Sequence, residues 1–199
     1  MTTTISAKDV KELRDRTGAG MMECKAALTE SNGNMENAID ILRARGAAKA
    51  AKRAEREARE GTVASYIHMG GKIGVLVELN CETDFVAKTE QFQELARLIA
   101  LHIAAANPTG VSREQIPADV VERERGVYRE QMRESGKPEK IWDKIIDGKL
   151  EKFYAESTLL EQPFVKNPDQ TVGQLITEVS GKTGEKIEVR RFTRYALGE

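Results

Sequence analysis

Cysteine is almost absent from this 199-residue chain, with Cys24 and Cys81 the two present. Two thiols cannot build a disulfide framework, and such low usage is that of a reducing compartment. Histidine is equally scarce. His68 and His102 fall on different predicted elements, and neither neighbours a cysteine. No Cys-x-x-Cys, His-x-x-x-His or carboxylate cluster has the spacing of metal ligands. No catalytic set, metal site or cofactor is therefore expected. An excess of charge is also missing: 31 basic and 32 acidic side chains leave a net charge of −1. A chain whose main ligand is nucleic acid usually carries a basic excess, so direct nucleic-acid binding is not expected. No apolar run approaches the roughly 20 residues needed to span a bilayer. Met1-Thr2-Thr3-Thr4-Ile5-Ser6 lacks the basic and apolar regions of a signal peptide. These absences predict a cytoplasmic protein that does not enter membranes.

What is present is a globular balance of 40% hydrophobic and 32% charged residues, long enough for one or two domains. Residues 1–46 read as a three-helix domain. Ser6 is a good N-cap with Asp9 at the third helical position, and Ile5 can staple to Val10. Thr17-Gly18-Ala19-Gly20 turns the chain into a second helix, about Met21 to Glu30, which Ser31-Asn32-Gly33 ends. Asn34 caps a third, with Met35, Ala38, Ile39 and Leu42 on one stripe. Gly46 is placed to stop it. Residues 47–60 hold no large apolar side chain and mix five basic with three acidic residues. They predict a solvated linker helix rather than a nucleic-acid contact.

Residues 61–199 read as an α+β domain. Val63, Ser65 and Ile67 alternate with Ala64, Tyr66 and His68, and Met69-Gly70-Gly71-Lys72 supplies a tight turn. Ile73, Val75, Val77 and Leu79 line one face of the returning strand. Helices are predicted at about 90–105, 118–134, from Pro138 to a stop at Gly148, from Leu150 onward, and around Val172–Val179. Residues 159–165 read as an apolar loop, and 185–195 as a strand free to pair with the hairpin. The expected fold is a small antiparallel sheet with helices gathered on one side. Its free edges and second face invite a partner, another copy of the chain included.

The most informative stretch is Thr83-Asp84-Phe85-Val86, where a strand-like run ends. An acid and a large aromatic stand side by side where groups are available to a partner. Their ordinary roles would be a helix N-cap for Asp84 and a core position for Phe85. Met21 and Met22 directly follow a glycine turn. One of them is expected to pack inside and the other to offer a soft, adaptable contact. Gly181-Lys182-Thr183 is not a phosphate loop: position 176 is Ile, a helix precedes and a strand follows. Gly18-Ala19-Gly20 fails as a dinucleotide fingerprint because position 23 is Glu and no strand precedes.

Two long stretches carry a family resemblance. Leu13-Arg14-Asp15-Arg16-Thr17-Gly18-Ala19-Gly20-Met21-Met22-Glu23-Cys24-Lys25-Ala26-Ala27-Leu28 resembles the N-terminal signature of the elongation factor Ts family. Glu78-Leu79-Asn80-Cys81-Glu82-Thr83-Asp84-Phe85-Val86 resembles its core signature. Gly148-Lys149-Leu150 through Gln162-Pro163-Phe164-Val165 is similar to its C-terminal region. The resemblance runs from about residue 5 to 197. It implies a ubiquitin-associated-like three-helix domain followed by a core module, present once here, where longer members carry a duplicated core with a coiled-coil insertion. It implies guanine nucleotide exchange on elongation factor Tu, bound in its GDP and nucleotide-free states, without covalent chemistry. Arg14, Met21 and Met22 would touch the partner's nucleotide domain. Thr83, Asp84, Phe85 and Val86 would enter near its Mg²⁺ site, and His68 matches a further contact. A homodimer through the sheet would supply the second half.

Two rival readings stand beside this one. The first is a ubiquitin-associated-like adaptor that dimerises and has no exchange activity. The second is a small enzyme using Cys81 or Cys24 as nucleophile, which would need a low-pKa thiol beside a base.

Overall fold

The computed structural model describes residues 5–199. Local sequence signals decide the first helices. In α1 (Ala7–Thr17) Ser6 accepts from the Asp9 amide and Asp9 reaches back to the Ser6 amide, a complete capping box. Gly18, at φ 68°, ends the helix by donating to the Arg14 carbonyl. α2 (Met21–Glu30) and α3 (Met35–Arg53) follow, and the Asn34 side chain caps α3. Val10, Leu13, Cys24, Ala27, Leu28, Ala38 and Ile39 form one buried cluster, against which Ile5 and Leu42 pack. Arg16–Glu36 at 2.8 Å, Arg45–Glu30 at 2.6 Å and Lys49–Glu23 tie the helices at the surface.

α3 does not stop at Gly46. It runs seven residues further to Arg53. Glycine costs a helix about 1 kcal/mol, and the Ala- and Lys-rich sequence that follows outweighs a cost of that size. Residues 47–60 are otherwise mostly exposed, with Ala58 buried. Gly148 is likewise passed over: α7 (Trp142–Ser157) is continuous through it. Ile146 and Leu150, on either side of Gly148, both pack with Met132 of α6 (Ala118–Glu134). That shared burial holds the helix together across the glycine.

The sheet has three antiparallel strands in the order β1-β2-β5: β1 (Glu60–Ile67), β2 (Ile73–Cys81) and β5 (Ile187–Ala196). Val75, Val77 and Leu79 of β2 face the core, while Leu76 points the other way and is 49% exposed. In β5 the burial alternation slips by one across Arg190-Arg191, which are both exposed. Both arginines pair with Glu78, at 3.2 and 2.7 Å. Between β2 and α6 lie a one-turn helix α4 (Asp84–Ala87) and α5 (Glu90–Ala106). The expected apolar loop contains part of a second, two-stranded sheet: β3 (Pro163–Phe164) pairs antiparallel with β4 (Asn167–Thr171). α8 (Val172–Thr183) leads into β5.

The chain gathers into two compact units. One comprises the chain up to Gly61 with Asn80–Gln93 and Ile176–Glu188. The other comprises Thr62–Leu79, Glu94–Leu175 and Val189–Glu199. In the second unit His102 is fully buried on α5. Its Nδ1 accepts from the Val165 amide at 3.3 Å, so Nε2 carries the proton and donates to Gln162 Oε1 at 2.9 Å. Gln162 in turn donates to the Glu156 carbonyl at 2.6 Å. His102 is thus a satisfied core histidine, and it holds the 159–165 segment in place.

Burial pushes the His102 pKa below its ordinary value. Below about pH 6.5 the unfolded chain binds a proton that the folded chain refuses. Stability contributed by neutral His102 is therefore complete at higher pH and lost as the pH falls. Melting temperatures of the wild type should drop more steeply than those of His102→Gln between about pH 7.5 and 5.5. Parallel curves would contradict this account.

Candidate partner-binding site

β2 ends at Cys81, and the chain turns at once into the four-residue helix α4. A helix this short cannot hold itself together, so its ends must be bound by other groups. Thr83, extended at φ −129° and ψ 154°, is the N-cap, and its side chain accepts from the Val86 amide at 3.4 Å. Asp84 is thus the first helical residue rather than the cap. At the other end the Thr89 hydroxyl donates to the Val86 carbonyl at 2.8 Å, and Gln93 Nε2 to the Ala87 carbonyl at 2.7 Å. Ala87 is buried beneath the turn.

This held turn presents Phe85 outward at 79% exposure. The ordinary core role for this aromatic is excluded. Lys88 donates to Asp84 at 2.6 Å and holds the carboxyl below its usual pKa range. The i, i+4 spacing of these two was legible in the sequence, although Lys88 was not selected. Val86 is half-buried.

A residue distant in sequence fixes the entry to the turn. Glu185 lies just after Gly184, whose φ of 79° swings the chain away from α8. Its Oε2 accepts from the amides of Glu82 and Thr83, each at 3.0 Å, and its Oε1 accepts from the Thr83 hydroxyl at 2.6 Å. Glu82 reciprocates by accepting from the Lys186 amide at 2.6 Å, which lowers its pKa. Arg56 Nη1 also reaches Glu82, at 3.3 Å, and Lys186 Nζ donates to the Arg56 carbonyl at 3.0 Å. Sequence reasoning missed Glu185. The pairing spans about a hundred residues and has no local signature.

Among the other predicted residues, Met21 and Met22 are both exposed, at 44% and 76%. The expectation that one would pack inside is wrong. Cys24, Ala27 and Leu28 take the buried face of α2 and turn both methionines to the surface. Exposed Arg14 stands in the last turns of α1, across the glycine turn from them. Lys182 of α8 lies against that turn: a Cβ on Gly18 would clash with its side chain. Arg14, Met21, Met22 and Thr83–Val86 all belong to one compact unit. His68 belongs to the other, exposed at the hairpin tip, with Nδ1 3.1 Å from the Tyr66 hydroxyl. Both cysteines are buried, and burial pushes the Cys81 thiol up to about 11. An inert thiol of this kind is no nucleophile near neutral pH. No helix is long and apolar enough to cross a membrane among the described residues.

A family model described as "Elongation factor TS" matches residues 3–199. The chain belongs to the elongation factor Ts family. It is 61% identical over 196 residues to Elongation factor Ts of Desulfosudis oleivorans, covering 98% of this chain and 99% of that one. It is 59% identical over 195 residues to Elongation factor Ts of Syntrophus aciditrophicus, with 98% and 97% covered, and to that of Thermosipho melanesiensis, with 98% and 100% covered. These relatives match along essentially their whole length. Family membership carries the role of a translation elongation factor.

Proposed function

We propose that the chain binds elongation factor Tu in its GDP form and promotes GDP release, so that GTP can replace it. One observation carries the reading: a large aromatic, Phe85, stands almost fully in solvent on a turn whose every end is tied. Burying such a side chain in a partner is worth roughly 1.5–3 kcal/mol. Little is lost to ordering, because the segment is already held. GDP in such a partner is retained by phosphate contacts and a bridging Mg²⁺. Phe85, flanked by Thr83, Asp84 and Val86, acts as a wedge that displaces partner side chains around the ion. Groups outside the coordination sphere tune metal affinity, so their displacement weakens both ion and nucleotide. Arg14, Met21 and Met22 serve as the docking surface, and His68 as a further contact.

No bond is made or broken in this scheme. Coupling is reciprocal: if the exchange factor weakens GDP binding, nucleotide weakens the exchange factor by the same factor. Incoming GTP therefore expels it. The adaptor reading predicts no effect on any GTPase and is separated by the same assay. In stopped-flow release of labelled GDP, sub-stoichiometric wild type should accelerate release. Phe85→Ala should fold normally and lose about tenfold or more of that acceleration. An unchanged release rate with wild type would overturn the exchange role. A fully active Phe85→Ala would overturn the wedge.

The second sheet face supports self-association. Val63 and Ile67 are each 67% exposed, Leu76 49% and Tyr195 74%, all on the side away from the core. A symmetric pair of these faces forms the homodimer and supplies the second core module. Light scattering at micromolar concentration should give twice the chain mass. A monomer mass would contradict it.

A further inference from the structure

We infer that Glu185 is the positioning residue of the exchange segment, setting the direction in which Phe85 is presented. This rests on the exchange reading above. The carboxylate uses both oxygens on the segment's entry: two amides, of Glu82 and Thr83, and the Thr83 hydroxyl. Hydrogen bonds to a charged acceptor are the stronger kind, and three on one group fix orientation as well as distance. Thr83 is at once the cap of α4 and the target of Glu185, so the clamp and the turn share an atom, Thr83 Oγ1. Phe85 is two residues beyond.

The clamp is itself anchored. Ser180, buried on α8, donates to the Glu185 carbonyl at 2.5 Å, and Arg53 of α3 donates to the Ser180 carbonyl at 3.1 Å. The same stretch bears on the docking surface, since Lys182 packs against the Gly18 turn that precedes Met21 and Met22. Residues 180–186 thus contact both the entry to the Phe85 turn and the turn before the methionine pair, within one compact unit. Docking and wedging require a fixed offset between two patches, and this segment is the piece that touches both supports.

Glu185 touches neither nucleotide nor ion in this scheme, so its loss should act through Phe85. Glu185→Gln removes the charge that strengthens all three hydrogen bonds and leaves one acceptor oxygen where the carboxylate offered two, so the clamp loosens. At saturating exchange factor, GDP release from elongation factor Tu should slow by about tenfold or more, the scale of a misplaced reacting group. The half-saturating concentration should stay within about twofold, because the methionine surface is intact. Hydrogen exchange should speed up at the Glu82 and Thr83 amides and remain unchanged within α1–α3. In a Phe85→Ala background Glu185→Gln should add nothing, whereas general destabilisation would add its full effect. If Glu185→Gln does not fold, Ser180→Ala removes the bond that anchors the Glu185 carbonyl and should show the same split. Wild-type acceleration with an undiminished Glu185→Gln rate, or with full additivity on Phe85→Ala, would overturn the positioning role. Failure of the wild type to accelerate release would instead overturn the exchange reading beneath it.

Discussion

The hold of one carboxylate on two backbone amides is the interaction on which the candidate site depends. Without Glu185 the entry to α4 would lose its acceptors, and a four-residue helix has no internal means to keep its direction. Everything distinctive about Phe85 follows from that support. An exposed aromatic on a loose loop would fold back onto the nearest apolar surface. On a turn capped by Thr83, closed by Thr89 and Gln93 and entered through Glu185, it stays in solvent at 79% exposure. The reciprocal bond from the Lys186 amide to Glu82 makes the arrangement two-sided, each segment supplying the other's acceptor.

The site's chemistry is one of surfaces rather than reactions. Its ionisable groups are paired: Asp84 with Lys88, Glu82 with Arg56 and the Lys186 amide, Glu185 with main-chain donors. Its one thiol, Cys81, is buried and donates to the Thr83 carbonyl at 3.2 Å. Such an arrangement supplies shape, apolar area and rigidity, which are what displacement of another protein's side chains requires.

Much of this was legible in the sequence where the cause is local. Ser6 with Asp9, Asn34, and the Gly70-Gly71 turn act over three or four residues, and each does what its spacing implies. The alternation of β2 and the stripe of Val172, Leu175, Ile176 and Val179 are equally local; Val172, Ile176 and Val179 are buried and Leu175 is half-buried. The misreadings share another cause. Gly46 and Gly148 looked like helix ends, but a cost of about 1 kcal/mol is outweighed by neighbours that favour or bury the helix. The β3–β4 pair joins Phe164 to Asn167 in a register no alternation announces. The position of Phe85 could be read as a strand exit, yet the carboxylate that holds the entry to its turn, Glu185, lies about a hundred residues away. Met21 went outward because Cys24, Ala27 and Leu28 already filled the face.

If Phe85 enters a partner's nucleotide site, it competes with what is bound there. A benzophenone side chain placed at position 85 tests this by photo-crosslinking to elongation factor Tu. The expected crosslink maps to the peptide beside the partner's Mg²⁺ site and fades as GDP and Mg²⁺ are added. A crosslink mapping elsewhere on the partner, or one indifferent to GDP, would contradict it.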